Sequence, residues 1–308
     1  MRTVKPRSLK PGDTIGIVAP SSPFGRDEFE KGLAMIRGLG FKVCLAEGLF
    51  ERRGYLAGED DLRAARLQQM FVDDAVDGIV CARGGFGALR LLARLDYAAI
   101  AGHPKPFVGF SDTTALHQAL LTKAGLVTFH GPVVCSLGQG EEGSGASLAR
   151  VLAGTSPMEI CVEENRPLRK GKAEGILVGG NLATLCHLLA TPYAQPLSGK
   201  ILLLEEIHEA PYRIDRMLTH MKIAGCFKGL AGVMVGQFEA CGSPGEIEDI
   251  LLECFDDARL PVSAGYAVGH GRRNETVALG LRARLDATAG TLTYLESPFE
   301  EFCINDDI

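Results

Sequence analysis

A chain of 308 residues, 46% of them hydrophobic, is long enough for two domains of ordinary size, each with a core of its own. Its 38 acidic residues outnumber its 32 basic ones, for a formal charge of −6, and no basic stripe with interleaved aromatics runs along it. Nucleic acid and anionic membrane surfaces are therefore not the expected partners.

The N-terminus, Met1-Arg2-Thr3-Val4-Lys5-Pro6, lacks an apolar stretch of signal-peptide length. No run approaches the ~18 apolar residues of a membrane span, so the expected location is the cytoplasm. Nine cysteines, at 44, 81, 135, 161, 186, 226, 241, 254 and 303, are scattered with no C-x-x-C spacing. That usage fits reduced thiols rather than a disulfide framework.

In chain order, the first half alternates strand and helix signals. Thr14 to Ala19 reads as a strand ending at Pro20-Ser21-Ser22-Pro23, and Phe29, Leu33 and Ile36 then share a helical face. Phe41 to Leu45 is a strand, Asp60 to Phe71 a helix, Ile79 to Ala82 a strand and Ala88 to Leu95 a helix. Phe107 to Phe110 is a strand, Thr114 to Leu121 a helix and Val127 to Phe129 a strand. Repeated β-α-β units predict a mostly parallel, Rossmann-like sheet flanked by helices, with ligands beyond the carboxyl ends of its strands.

Past Leu137 the pattern weakens, and Gly138 to Gly145 is a loop. The expected organisation is an N-terminal α/β domain over 1–140, a linker over 141–172 and a smaller C-terminal α/β domain with mixed strands over 173–308. In that second part Gly175 to Val178 and Ile201 to Leu204 are strands, and Ile214, Met217, Leu218 and Met221 mark a helical face. Ser243-Pro244-Gly245-Glu246 forms a capping box with Pro at the first helical position. Strands follow around Pro261 to Tyr266, at Val277 to Leu281 and at Thr291 to Leu295, and the acidic end, Glu300 to Ile308, reads as a solvated tail.

Several motifs fail. Gly85-Phe86-Gly87-Ala88-Leu89-Arg90 has Arg where a dinucleotide fingerprint needs its third Gly, and no phosphate-binding G-x-x-x-x-G-K-[ST] occurs. His208-Glu209 is followed by Tyr212 where a zinc protease needs His, and no ligand cluster at sensible spacing points to a metal. No cofactor is implied.

One arrangement does carry chemistry. In Phe107-Val108-Gly109-Phe110-Ser111-Asp112-Thr113-Thr114 a strand runs through Gly to Ser and on into a helix. This layout exposes a hydroxyl at the tip of a sharp turn, where the helix N-terminus favours developing negative charge. Thr113 stands where the second Gly of G-x-S-x-G belongs, and a Ser or Asp here also serves as an ordinary helix cap. A serine nucleophile needs a base within hydrogen-bond reach. His270 lies between two glycines in Val268-Gly269-His270-Gly271-Arg272-Arg273-Asn274, His130 is a rival, and His117 sits inside a helix. A carboxylate to orient the base is available at Glu205 or Glu206, just after the apolar strand.

The chain resembles the LD-carboxypeptidase family of serine peptidases. The stretches that carry the resemblance are Ile15 to Pro23, Tyr55-Leu56-Ala57-Gly58, Ala82 to Gly87, Gly109-Phe110-Ser111-Asp112, His130-Gly131-Pro132 and Gly179-Gly180-Asn181-Leu182. They continue with Leu204-Glu205-Glu206-Ile207, Pro211 to Leu218 and Gly269-His270-Gly271, in the family's order and spacing over nearly the whole length. The resemblance implies Ser111 as nucleophile, His270 as general base and then acid, and Glu205 as the carboxylate that orients it. Glu206 stands where the family has Asp.

It further implies an oxyanion hole from the backbone N–H of Asp112 with that of Gly84 or Gly85, and substrate contacts at Arg83 and Gly84. Arg213, Arg216, Arg272 and Arg273 are alternative partners for a substrate carboxylate. The implied reaction removes the terminal D-Ala from a murein tetrapeptide recycled in the cytoplasm, by a homodimer. The alternatives are a microcin-immunity-type hydrolase of aminoacyl- or peptidyl-nucleotides, which wants an aromatic to stack a purine in a chain with no Trp, and a non-catalytic small-molecule binding protein.

Overall fold

The computed structural model describes residues 3–139, 142–155, 158–162, 166–256 and 260–300. Of the expected acidic tail, 301–308 lie outside the described residues. β1 (Thr14–Val18) leads to α1 (Arg26–Gly38), and β2 (Lys42–Leu45) to α2 (Asp60–Val72). β3 (Gly78–Cys81) continues through a 3₁₀ turn (Ala88–Arg94) to α3 (Tyr97–Gly102), and β4 (Phe107–Gly109) to α4 (Thr114–Ala119), before β5 (Thr128–His130). Each crossover is long enough to return the chain in the same direction, so β2-β1-β3-β4-β5 pair in parallel. β3 is buried on both faces, as a central parallel strand must be. Phe29, Leu33 and Ile36 of α1 and Ala64, Leu67 and Phe71 of α2 supply the helical stripes that cover the sheet.

Among the described residues of 141–172, the expected linker region, there are helix and strand elements. After α5 (Val134–Leu137) come α6 (Glu142–Leu152), β6 (Glu159–Cys161) and β7 (Arg166–Arg169). The second half then runs β8 (Lys172–Asn181), α7 (Leu182–Leu188), β9 (Lys200–Ile207), α8 (Pro211–Ile223), β10 (Gly232–Glu239), α9 (Pro244–Cys254), β11 (Val262–Ala264), β12 (Val277–Leu279), β13 (Arg282–Asp286) and β14 (Thr291–Tyr294). The capping box at Ser243 and Glu246 starts α9 as expected.

Among the described residues the second sheet has eight strands, in the order β6-β14-β13-β8-β9-β10-β11-β7. Its centre, β8 to β11, is parallel and its flanks are antiparallel. β12 leaves this half and pairs antiparallel with β5, at the edge of the first sheet.

The side-chain period of two divides the second sheet between two cores. Leu177, Ile201, Leu203 and Met234 join the core of the first sheet. Val178, Leu202, Leu204, Val233 and Val235 face the other way, onto α7, α8 and α9. Two hydrogen bonds bind α4 to β8 across the boundary. Asn181 N donates to Thr114 Oγ1 at 3.1 Å, and Gln118 Nε2 donates to the Gly179 carbonyl at 3.0 Å.

Candidate active site

In the first sheet the chain leaves β1 toward β2 on one side, and β3 continues on the other, so loops part at the carboxyl end and open a crevice. The loops after β1, β3 and β4 gather there. Ser22 N donates to the Gly84 carbonyl at 3.2 Å, and Phe86 N donates to Ser22 Oγ at 3.0 Å.

Ser111 follows β4 with φ +64°, in the left-handed region that non-glycine residues enter at a cost. The next residues form a 3₁₀ turn (Ser111–Thr113) that runs directly into α4. Thr113, the departure from the elbow pattern, contributes here, because its hydroxyl donates to the Phe110 carbonyl at 2.9 Å and closes the turn. Gly84 backs onto the elbow. A Cβ on it would lie 2.8 Å from Ser111 Cβ and 3.0 Å from Ser111 Oγ, so only glycine lets the loop come this close.

Ser111, Asp112, Gly85 and Phe86 line one wall of a cleft of about 290 Å³, and Asn181 and Glu206 are on the other. The Asp112 carboxylate accepts a hydrogen bond from Ala88 N at 2.8 Å, which ties the Gly84-to-Gly87 loop to the elbow. Burial pushes the Asp112 carboxyl up, against the backbone N–H groups and the Arg63 charge around it.

His270 comes from the loop between β11 and β12. Gly269 N donates to Asn274 Oδ1 at 3.0 Å and Gly271 N to Gln237 Oε1 at 2.8 Å, so both flanking glycines are fixed. The His270 Nδ1 to Glu205 Oε2 distance is 2.6 Å, and Glu205 is fully buried. Burial alone would raise the Glu205 pKa, but the His130 and His270 imidazoles against it bring it down to about 2. Burial works against the His270 cation, yet the hydrogen bond and charge of Glu205 outweigh it, and its pKa is raised.

Phe110, the residue before Ser111, lies against the His270 ring with centroids 4.7 Å apart. This contact brings the base loop of the second half to the serine turn of the first. A serine at such a turn, one residue from a ring packed on a carboxylate-held imidazole, presents the parts of an acyl-transfer site: a hydroxyl to attack a carbonyl carbon, a base to take its proton, and N–H groups to hold the resulting oxyanion.

The other expected residues divide. Glu206 is on the opposite face of β9 from Glu205 and accepts hydrogen bonds from Asn181 Nδ2, Ala183 N and Ile207 N at 2.7 to 2.9 Å. His117 is structural: its ring bonds Thr128 Oγ1 and the Gly109 carbonyl, and burial lowers its pKa to about 3. His130, the rival base, is fully buried, whereas the His270 side chain keeps some exposure.

Arg83 is exposed and donates to the Pro23 carbonyl at 2.8 Å, away from the cleft lining. Arg213 bonds Tyr212 and Glu209, and Arg216 sits over the Tyr212 ring. Arg273 pairs with Glu275, and Arg272 shares a hollow of about 210 Å³ with His270 and Phe110.

Sequence reasoning passed over Arg63. It is fully buried, donates to the carbonyls of Pro20, Gly58 and Gly87, and pairs with Asp60 at 2.6 Å. The signal was present, because Arg63 stands four residues before Leu67 on the apolar face of α2.

Comparison with known proteins gives the same frame. The LD-carboxypeptidase N-terminal domain matches residues 15–131, and the LD-carboxypeptidase C-terminal domain matches residues 174–285. The chain is 39% identical over 298 residues to a probable murein peptide carboxypeptidase of Bacillus subtilis, covering 93% of each chain. It is 30% identical to the murein tetrapeptide carboxypeptidase of Pseudomonas aeruginosa, covering 88% of this chain and 92% of that one. The crystal structure of an MccF-like protein from Bacillus anthracis superposes with a TM-score of 0.88 at 29% identity, covering 94% of this chain and 98% of that one.

Proposed function

The chain belongs to the LD-carboxypeptidase family and is a serine-type carboxypeptidase. On that premise we propose that it removes the terminal D-Ala from murein tetrapeptides, with Ser111, His270 and Glu205 as its triad. The observation that carries this reading is the 2.6 Å contact between His270 Nδ1 and a fully buried Glu205, with the His270 ring packed on Phe110, the residue before a serine in the left-handed conformation. His270 takes the Ser111 proton as the hydroxyl attacks the carbonyl of the third residue's L-centre, and returns it to the departing D-Ala amine. Water then releases the acyl group by the same path in reverse.

The N–H groups of Asp112 and Gly85 hold the tetrahedral oxyanion, and Gly84 leaves room for the substrate carbonyl beside Ser111. For the terminal carboxylate we retain Arg83, because its contact with Pro23 is exposed and exchangeable. In this reading residues 1–140 present the nucleophile and 173–308 the Glu and His, so docking of the two parts is a condition of catalysis. A cytoplasmic setting and a homodimer belong to the same proposal, and light scattering on the purified protein reads the second directly.

The test is mass spectrometry of the protein incubated with L-Ala-γ-D-Glu-meso-diaminopimelate-D-Ala, beside Ser111→Ala. Loss of one D-Ala with the wild type only supports the reading. Loss with both proteins removes Ser111 from it. Loss with neither turns the assay to aminoacyl-nucleotides, for which half-exposed Phe86 at the cleft offers a stacking face, and inactivity there favours a binding protein.

A further inference from the structure

His130 is assigned nothing by the reaction above, yet it is fully buried and neither ring nitrogen has a hydrogen-bond partner. Glu205 Oε1 is also fully buried and without a partner. These atoms face each other, with His130 Nε2 3.8 Å from Glu205 Oε1. Buried polar atoms are nearly always paired, and three orphans on two neighbouring side chains need an explanation.

We propose that His130 is a positioning residue whose Nε2–H donates to Glu205 Oε1, so that Glu205 bridges two imidazoles. The proposal rests on the reading of Glu205 as the carboxylate that orients His270. The 3.8 Å separation exceeds the reach of a hydrogen bond, and active-site bonds that are long in the free enzyme tighten when substrate binds.

The fold restrains both partners. His130 ends β5, is paired there with Gly109 on one side and Val277 on the other, and packs against Phe110. The Glu205 side chain is held by the backbones of Gly236 and Gly269, on which a Cβ would lie 3.3 and 2.9 Å from Glu205 Cβ. With Oε2 bonded to His270 and Oε1 to His130, the carboxylate has no free rotation about its last bond, and the imidazole it steers is held in one orientation. The bond also leaves one orphan atom where there were three.

The test compares His130→Gln, which keeps an N–H donor, with His130→Leu, which does not, in steady-state hydrolysis of the tetrapeptide beside Ser111→Ala. For His130→Leu, kcat falls by about 10- to 100-fold, the size of a lost hydrogen bond to a charged group, with KM within about twofold. His130→Gln recovers most of the loss. Equal kcat for both variants in folded protein overturns the proposal, and activity in Ser111→Ala overturns the triad instead.

A second measurement needs no variant. ¹⁵N spectra of the wild type with a bound, non-hydrolysed peptide should show a proton on His130 Nε2. An Nε2 without a proton overturns the proposal whatever the variants do.

Discussion

Glu205 and Glu206 are neighbours in β9 whose carboxyl groups lie on opposite faces of one sheet and are driven in opposite directions. Glu205 meets two imidazoles and is held down at about 2. Glu206 is pushed up by burial against the three N–H donors that satisfy it. Replacing each by Gln separates their work. Glu205→Gln should lower kcat by roughly 10²- to 10⁴-fold, because the amide no longer selects the His270 tautomer or stabilises its cation. Glu206→Gln should leave kcat within about tenfold and cost about 1–3 kcal/mol of stability, the penalty of buried donors left unmatched. Steady-state kinetics with urea unfolding of both variants distinguishes the two patterns.

Activity and stability should respond to pH in opposite senses. The reaction needs neutral His270, whose pKa lies above its ordinary 6.5, so kcat/KM should rise with pH through a midpoint above 6.5. The ion pair acts differently on the fold. The raised His270 contributes stability below 6.5, lost as pH climbs through its folded pKa. The depressed Glu205 contributes above 4.5, lost as pH falls toward about 2. The stability difference between wild type and Glu205→Gln should therefore peak between 4.5 and 6.5 and shrink on either side. A flat difference across that range would remove the pair from the stability of the fold.

Ser111 occupies a left-handed backbone conformation that glycine adopts without strain. Ser111→Gly should therefore gain about 1 kcal/mol of stability while hydrolysis disappears. Ser111→Ala should lose hydrolysis with no such gain. Denaturation midpoints of the pair read the strain directly.

Gly84→Ala places a methyl 3.0 Å from Ser111 Oγ. Either the serine or the loop must move, and a misplaced reacting atom is expensive, so kcat should drop by about 100-fold. The same methyl lies 2.8 Å from Ser111 Cβ, so the fold should also lose about 1–3 kcal/mol, read from unfolding midpoints.

Arg63 holds the loops at Pro20, Gly58 and Gly87 together from below. Arg63→Met should cost about 2–4 kcal/mol, since it removes the donor to the carbonyls of Pro20, Gly58 and Gly87, while Asp60 keeps its pair with Arg90. Chemical denaturation measures this, and residual activity at low temperature reports how far the loop at Gly84 depends on it.

Much of the site was legible because its signals are local. The turn at Ser111 follows from a strand, a glycine and a helix in succession. Ile201, Leu203 and Glu205 share one side of β9 and Leu202, Leu204 and Glu206 the other, but the residues by themselves left the two glutamates as alternatives, and the family resemblance pointed to Glu205. Arg63 was hidden because a buried cation contradicts the usual pattern, and two of the carbonyls that hold it, at Pro20 and Gly87, come from distant parts of the chain. The contact of Phe110 with His270 joins residues from opposite halves of the chain, as does the pairing of β5 with β12, and no period along the sequence encodes either. The elements within 141–172 went unread for a related reason. β6 and β7 are three and four residues long and draw their partners from β14 and β11.

That pairing of β5 with β12 governs how the gene can be cut. A fragment ending at residue 140 would carry the parallel sheet but leave Thr128 to His130 as an open edge, its N–H and C=O groups ready to template other chains. Expression of such a fragment should yield aggregates. A permuted chain that carries Val277 to Leu279 along with the first 140 residues should stay in solution.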